Sequence, residues 1–124
     1  MIKAYLLYTG TDGHSHVKRG TISEGALVKA DRALFKETAP NATYEWHTAP
    51  FTQYVITLSG VLEFSTMTGE TFILNPGDVL VATDTTGSGH QWKLINDEPW
   101  KRMYVVFEAG TETHFVPDAI PMDN

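Results

Sequence analysis

Two histidines, His47 and His90, lie 43 positions apart, and each adjoins a stretch with the composition of a β-strand. An imidazole titrates near neutral pH, so it can transfer a proton or ligate a metal ion. A small β-barrel can bring such distant strands to one pocket, where Gln53 would add an amide oxygen. We therefore predict His47 and His90 as catalytic residues, and His47, Gln53 and His90 as metal ligands. A purely structural role for the two imidazoles, hydrogen-bonding a turn or a strand end, is the remaining alternative.

The composition of the 124-residue chain narrows the chemistry. It has no cysteine, so a metal ion would have to be held by His, Asp, Glu, Gln or water. The formal net charge is −6 and no basic run is longer than Lys18-Arg19, which argues against a nucleic-acid partner. The glycine patterns that bind nucleotide cofactors are absent from the sequence. We expect a small-molecule ligand and no nucleotide cofactor.

The amino-terminal segment does not have the length of a membrane anchor. Its apolar run, Ala4 to Tyr8, is too short for a signal sequence or a membrane span, so we expect a cytoplasmic protein without a membrane partner. The chain length fits one domain with its own core, and a hydrophobic content of 42% is typical of a globular protein.

Short strand patterns separated by turns rich in glycine and proline dominate the chain. No window shows a sustained helical period, so we predict an all-β sandwich or barrel. Pro76 and Gly77 occupy the central places of a type II turn, in which glycine supplies the positive φ. The polar, glycine-rich segment 9–19 is predicted to be a loop. The predicted strands are 2–8, 26–30, 32–37, 43–47, 53–58, 61–66, 71–74, 79–83, 91–95 and 103–108.

Strand alternation predicts which side chains share the pocket. Successive side chains of a strand point to opposite faces, so residues two positions from Gln53 and from His90 share their faces. The same counting continues back to His47. An apolar and aromatic wall with a few polar points is the usual make-up of a small-molecule site. The predicted pocket wall consists of Ala49, Phe51, Val55 and Trp92.

Three further residues have both a simple and a functional interpretation. His14 and His16 lie in the polar segment and are most simply exposed to solvent. The alternative is that this loop folds over the barrel mouth and supplies His16 as a lid residue. Asp84 precedes His90 in a predicted rim loop, where capping the loop is the simpler role. Orienting an imidazole as a hydrogen-bond acceptor is its alternative role.

The spacing of these residues resembles the cupin superfamily of small jelly-roll β-barrels. The first cupin motif has the form His-x-His, then a Glu, then a Gly after six further residues. In this chain His47 holds the first place, Gln53 the place of the Glu and Gly60 the closing place, while Ala49 stands where the second His would be. The second motif is matched by Pro76-Gly77-Asp78, His90 and Asn96. The resemblance extends over about 43–108.

The resemblance implies a single cupin domain over 1–124, with a core barrel of about 26–108. Residues 1–25 would form an amino-terminal strand and loop, and residues 109–124 a tail. Small cupins usually dimerise through their amino-terminal strands, and the apolar segment 2–8 suits that role, so a homodimer is expected. Cupin dioxygenases hold iron or manganese with three His and one Glu. With Ala49 and Gln53 in two of those places, we expect a weakly held divalent ion (Mn, Fe, Ni or Zn) or a metal-free site.

These expectations give two main hypotheses for the function. The first is an enzyme of lyase, isomerase or cyclase type, in which a metal polarises a carbonyl oxygen or His47 or His90 acts as a base. The second is a non-catalytic module that senses or binds a small molecule, which requires the aromatic wall but not the imidazole pair. A third interpretation is a partner-interaction domain with a filled barrel.

Overall fold

The computed structural model describes residues 1–119, and in this part of the chain strands are joined by turns and loops without any helix. Accordingly, no helix that could cross a membrane occurs there. The eleven strands are β1 (Ile2–Thr9), β2 (Ser15–Ile22), β3 (Arg32–Thr38), β4 (Thr43–His47), β5 (Gln53–Ser59), β6 (Leu62–Thr66), β7 (Thr71–Leu74), β8 (Val79–Ala82), β9 (His90–Leu94), β10 (Trp100–Val106) and β11 (Phe115–Pro117). A seven-stranded sheet has the order β11-β2-β1-β8-β5-β10-β3, and a four-stranded sheet has the order β4-β9-β6-β7. The predicted all-β class is confirmed.

The two sheets share an apolar core between their facing surfaces. In β6 the alternation is plain, because Leu62 and Phe64 are buried and the residue between them is only partly covered. Burying this surface is the main favourable contribution to folding. The buried core residues are Tyr5, Leu7, Val55, Leu62, Phe64, Phe72, Leu74, Leu80, Trp92, Leu94 and Trp100.

The opposite face of the larger sheet is covered by its own chain. Strands β5 and β8 are apolar on both faces because a second buried cluster lies on this side. Val28 and Phe115 pack against that cluster, and the Tyr54 hydroxyl donates a 2.6 Å hydrogen bond to the Thr113 carbonyl. The two-sided apolar pattern of β5 is therefore explained without a partner subunit. The cluster consists of Ala4, Tyr54, Val79, Val81 and Phe107.

The strand predictions hold for the middle of the chain, and the corrections fall mainly near its ends. Strands β4 and β7 have the predicted bounds, whereas 26–30 is not a strand. The predicted loop over 9–19 is wrong, because β2 begins at Ser15 and pairs with β1 over eight residues. The predicted core barrel of 26–108 is too narrow, since β1, β2 and β11 all lie in the larger sheet. Residues 120–124 of the predicted tail lie outside the described residues.

Strand β1 is an interior strand of the larger sheet. It lies between β2 and β8 and pairs with β8 in parallel. Ala4 and Leu7 are fully buried by residues of the same chain. The apolar character of this strand, which suggested a dimer contact, is thus accounted for within one chain. The homodimer stays a prediction.

The turn before β8 has the predicted geometry. Gly77 has a φ of 90°, and the Asp78 backbone N–H donates to the Asn75 carbonyl at 3.0 Å, as a type II turn requires. The Asp78 carboxylate also accepts a 2.9 Å hydrogen bond from the Asn75 N–H. This turn fixes the start of β8, whose inward residues Leu80 and Ala82 line the cavity described next.

Candidate functional site

A cavity of about 540 Å³ lies between the two sheets. This volume is within the range of small-molecule sites. All the predicted wall residues and all the predicted metal-ligand positions line it. The lining residues are Leu34, Lys36, Thr38, Thr43, Tyr44, His47, Thr48, Ala49, Pro50, Phe51, Gln53, Val55, Phe64, Leu80, Ala82, His90, Trp92, Trp100, Arg102, Tyr104 and Val106.

Pairing of β4 with β9 brings His47 and His90 together. The two residues are partners in the antiparallel ladder, and their ring centroids are 4.5 Å apart at an interplanar angle of 61°. Gly89 makes this approach possible, because its φ is 93° and a Cβ at this position would lie 2.7 Å from the His47 carbonyl oxygen. A residue with a side chain would push β4 away. The backbone pairing of β4 with β9 therefore brings the two histidines together, as the sequence predicted.

His90 is held by a buried carboxylate. Its Nδ1 lies 2.8 Å from Asp84 Oδ2, and both side chains are almost completely buried. A carboxylate accepts, so Nδ1 carries the hydrogen, and in the neutral ring Nε2 then keeps the lone pair. Loop capping was the simpler interpretation of Asp84, but the structure favours the alternative, an acceptor that orients an imidazole.

Ser15 completes this arrangement from the other end of the chain. Its hydroxyl donates to Asp84 Oδ2 at 2.8 Å and accepts from the Gly89 N–H at 2.9 Å. Gly87 lets the chain pass this close, because a Cβ there would collide with the Ser15 hydroxyl. Asp84 Oδ1 has no partner in residues 1–119, so the buried carboxylate depends on two side-chain donors, Ser15 and His90. Sequence reasoning missed Ser15, and no local pattern marks it.

His47 is set up differently from His90. Its Nδ1 donates to the Glu45 carbonyl oxygen at 2.7 Å, so Nε2 is again the atom with the free lone pair. Burial, and to a smaller extent the neighbouring His90, lowers the pKa of His47 below its usual value. At neutral pH His47 is therefore a neutral imidazole, able to accept a proton or to ligate a metal.

The donor set for a metal ion is incomplete. Gln53 is buried at the start of β5 and lines the cavity, but its amide is neutral. Ala49 offers no donor, and Asp84 is occupied on the far side of His90. Within residues 1–119 no group of three His, Asp or Glu side chains is arranged to hold a metal ion. These residues do not fit a tightly held metal, and ligation by His47, Gln53 and His90 stays a prediction.

His16 does not lie at the cavity, so its interpretation as a lid residue is wrong. It belongs to β2, and its ring is held between two surface carboxylates, Asp12 Oδ2 at 2.8 Å and Glu70 Oε2 at 2.9 Å. These hydrogen bonds, that to Glu70 first, raise the pKa of His16. The side chain that turns inward from this segment is Ser15.

Strand β10 supplies Arg102 and Tyr104, which the sequence analysis did not place at the pocket. Together with Trp100, which the sequence indicated as core or pocket wall, they are among its inward side chains. The predicted strand began at 103, so alternation was not extended to Arg102. Trp100 packs against Trp92 with ring centroids 4.7 Å apart and widens the aromatic wall.

Comparison with known proteins adds information on the fold. No protein family model matches the chain, and no curated protein matches it. The chain is similar to the crystal structure of a DUF861 family protein from Thermotoga maritima, at 22% identity and a TM-score of 0.50, covering 60% of this chain and 77% of that one. It is similar to a conserved protein with a double-stranded β-helix domain from Klebsiella pneumoniae, at 22% identity and a TM-score of 0.51, covering 77% and 81%.

A further similar structure is the Cnp3 cupin domain of Schizosaccharomyces pombe, at 14% identity and a TM-score of 0.48, covering 86% of this chain and 83% of that one. The low identities limit the conclusion to architecture, where the double-stranded β-helix agrees with the two facing sheets. The chain therefore has an all-β, cupin-like jelly-roll fold.

Proposed function

We propose that the protein binds a small organic molecule in its cavity and that His90 acts on it as a general base. The observation that carries the proposal is the buried Asp84–His90 pair, which leaves the lone pair of His90 Nε2 for the cavity. Reactions that begin by removing a proton next to a carbonyl group fit this arrangement. They include the lyase, isomerase and cyclase classes.

In the proposed step, His90 Nε2 takes a proton from a carbon next to the substrate carbonyl. The C–H bonding pair moves to form a C=C bond, and the carbonyl π pair moves to the oxygen, giving an enolate and an imidazolium. Asp84 stabilises the imidazolium through its 2.8 Å hydrogen bond to Nδ1. The Gln53 amide can donate an N–H to the enolate oxygen. If the substrate carries a C=C bond in the β,γ position, the intermediate is a dienolate, and return of the proton to its γ carbon as the carbonyl re-forms would complete an isomerisation.

His47, the neighbour of His90, is kept neutral by its surroundings. Its ring is 4.5 Å from that of His90, and burial and the neighbouring ring both disfavour its charged form. His47 therefore stays neutral when His90 becomes an imidazolium in the proposed step, and Asp84 lies behind His90 to stabilise that charge. His47 is thus a neutral neighbour that accepts hydrogen bonds at Nε2.

Proton exchange with solvent tests the proposal. Phenylacetone, a neutral probe, and phenylpyruvate, an anionic probe, would be incubated with the protein in D₂O, and loss of the C–H signals followed by proton NMR. We expect the wild-type protein to accelerate exchange of at least one probe. His90→Gln should slow the catalysed exchange by about 100-fold or more, since a positioned base contributes on that order. Binding of the probes, followed by tryptophan fluorescence, should persist in this variant.

The matched control is His14→Gln, which removes an exposed histidine. It should leave exchange unchanged. Equal exchange rates in His90→Gln and the wild type would overturn the proposal. Binding of both probes without catalysed exchange would also overturn it, in favour of a non-catalytic binding module.

A further inference from the structure

We propose that Arg102 anchors an anionic group of the ligand, so that the cavity takes a small organic acid, with a carboxylate as the anionic group. This inference rests on the proposed function in one respect, since it names the class of molecule that His90 would act on. It is carried by the placement of Arg102 and by the charges around the cavity.

Arg102 is a buried cation without a carboxylate partner in residues 1–119. The residue is 3% exposed, and none of the ion pairs in this part of the chain includes it. Removing a charge from water is costly unless it is paired or well hydrogen-bonded. A ligand carboxylate would supply the missing negative charge.

The guanidinium is held in place with one nitrogen left for a ligand. Nε donates to the Tyr104 hydroxyl at 3.1 Å, and Nη1 donates to Thr38 Oγ1 at 2.6 Å and to the Trp100 carbonyl at 3.0 Å. The guanidinium carbon lies 3.8 Å from the centre of a Trp100 ring. Nη2 has no protein partner in residues 1–119. It is not fully buried, because Asp84 Oδ1 is the only buried side-chain atom without a partner in this part of the chain. A fixed, planar cation with one free nitrogen suits carboxylate recognition.

The Lys and Arg side chains among the described lining residues have no acidic counterpart in that lining. Among the described lining residues, Lys36 and Arg102 are cations, and no Asp or Glu is present. The whole chain nevertheless carries a formal net charge of −6. The carboxylates are thus kept off this surface, which favours an anion over a cation or a neutral molecule.

Arg102 lies away from Gln53 along the cavity wall. Val106 of β10 pairs with Gln53, and Arg102 is four residues earlier on the strand, on the order of 13 Å away along the backbone. Trp92, two residues from His90 on β9, packs against Trp100, and the Arg102 guanidinium stacks on the Trp100 ring. A ligand with its carboxylate at Arg102 and its reactive carbon near His90 would lay an apolar or ring-bearing body along these indoles.

Binding of a matched acid and amide tests this inference. The probes are 3-phenylpropanoate and 3-phenylpropanamide, and the dissociation constants would be measured by calorimetry and by tryptophan fluorescence. We expect the wild-type protein to bind the acid about tenfold or more tightly than the amide, because a charge-assisted hydrogen bond is stronger than a neutral one. Arg102→Met should remove this preference while amide binding changes little, and Arg102→Lys should retain part of it.

The control variant is Lys101→Met, which removes the same charge from an exposed neighbour on β10. It should keep the preference for the acid. If Arg102→Met does not fold, the NMR signal of the wild-type Arg102 Nε–H decides, because the acid should shift it and the amide should not. Equal binding of acid and amide, no binding of the acid, or a preference that survives in Arg102→Met would overturn the inference.

These outcomes are distinct from failure of the proposed function. If the acid is not preferred over the amide, the exchange activity of His90 can still be demonstrated with the neutral probe phenylacetone. Selective binding of the acid without any exchange that depends on His90 would remove the catalytic proposal and keep the anion site.

Discussion

The molecule contains two pairs of histidines that differ in their surroundings. His47 and His90 meet on β4 and β9 at the cavity, whereas His14 lies in the turn between β1 and β2 and His16 lies near the start of β2. His90 and His16 each contact a carboxylate at 2.8 Å. The carboxylate of His90 is fully buried, while the Asp12 side chain beside His16 is 51% exposed.

The difference shows that the surroundings of a histidine decide what it can do. Burial lowers the pKa of His47, and surface carboxylates raise the pKa of His16. His47 is therefore neutral with a free lone pair near neutral pH. His16 has both ring nitrogens occupied by carboxylates and is drawn towards its charged form.

Removal of one carboxylate from each region, Asp84 beside His90 and Glu70 beside His16, should give the largest difference between the regions. Asp84→Ala leaves the buried donors of Ser15 and His90 without a partner, so we expect a loss of about 4 kcal/mol in the free energy of unfolding. Glu70→Ala removes the acceptor for His16 and for the Val17 N–H at a partly exposed site, with an expected loss of about 1 kcal/mol. Urea unfolding measures both values. Similar losses would show that the buried Asp84–His90 pair stabilises the fold no more than the partly exposed Glu70–His16 pair.

The glycine of each region gives the next largest contrast. Gly89 and Gly13 both have positive φ, 93° and 81°. A Cβ on Gly89 would meet the His47 backbone, whereas nothing lies within 4 Å of one on Gly13. We expect Gly89→Ala to cost about 3 kcal/mol, from backbone strain plus the collision, and Gly13→Ala about 1 kcal/mol from strain alone. Equal costs in thermal or urea unfolding would mean that β4 can move without penalty.

The pH dependence of stability should give the smallest contrast, with opposite signs. The folded pKa of His47 is lowered, so its contribution is present above the unfolded value of about 6.5 and is lost as the pH falls towards the folded pKa. The folded pKa of His16 is raised, so its contribution is present below about 6.5 and is lost as the pH rises through the folded value.

Unfolding midpoints between about pH 5 and pH 8 would measure these contributions. His47→Gln should weaken the loss of stability on the acid side, and His16→Gln should weaken the loss on the alkaline side. An acid-side loss that is unchanged in His47→Gln would contradict the lowered pKa of that residue.

The parts of the site that the sequence predicted correctly depend on strand periodicity. Gln53 and Val55 on β5, and His90 and Trp92 on β9, line the cavity because side chains two apart share a face. Arg102 was missed because the start of β10 was placed three residues too late. Strand β2 was missed because its polar sequence is stabilised by pairing with β1 rather than by its own propensity.

The sequence by itself determined the all-β class, the absence of thiol chemistry and the faces of the middle strands, since these follow from composition and from the two-residue period of a strand. The tertiary structure alone decided that Ser15 would bond to Asp84 across 69 positions and that Arg102 would be buried without an ion pair to any carboxylate of residues 1–119. Which distant groups meet depends on sheet order and on glycine-permitted approaches. A hydrogen bond between such groups is fixed by their positions in space, and local sequence does not encode those positions.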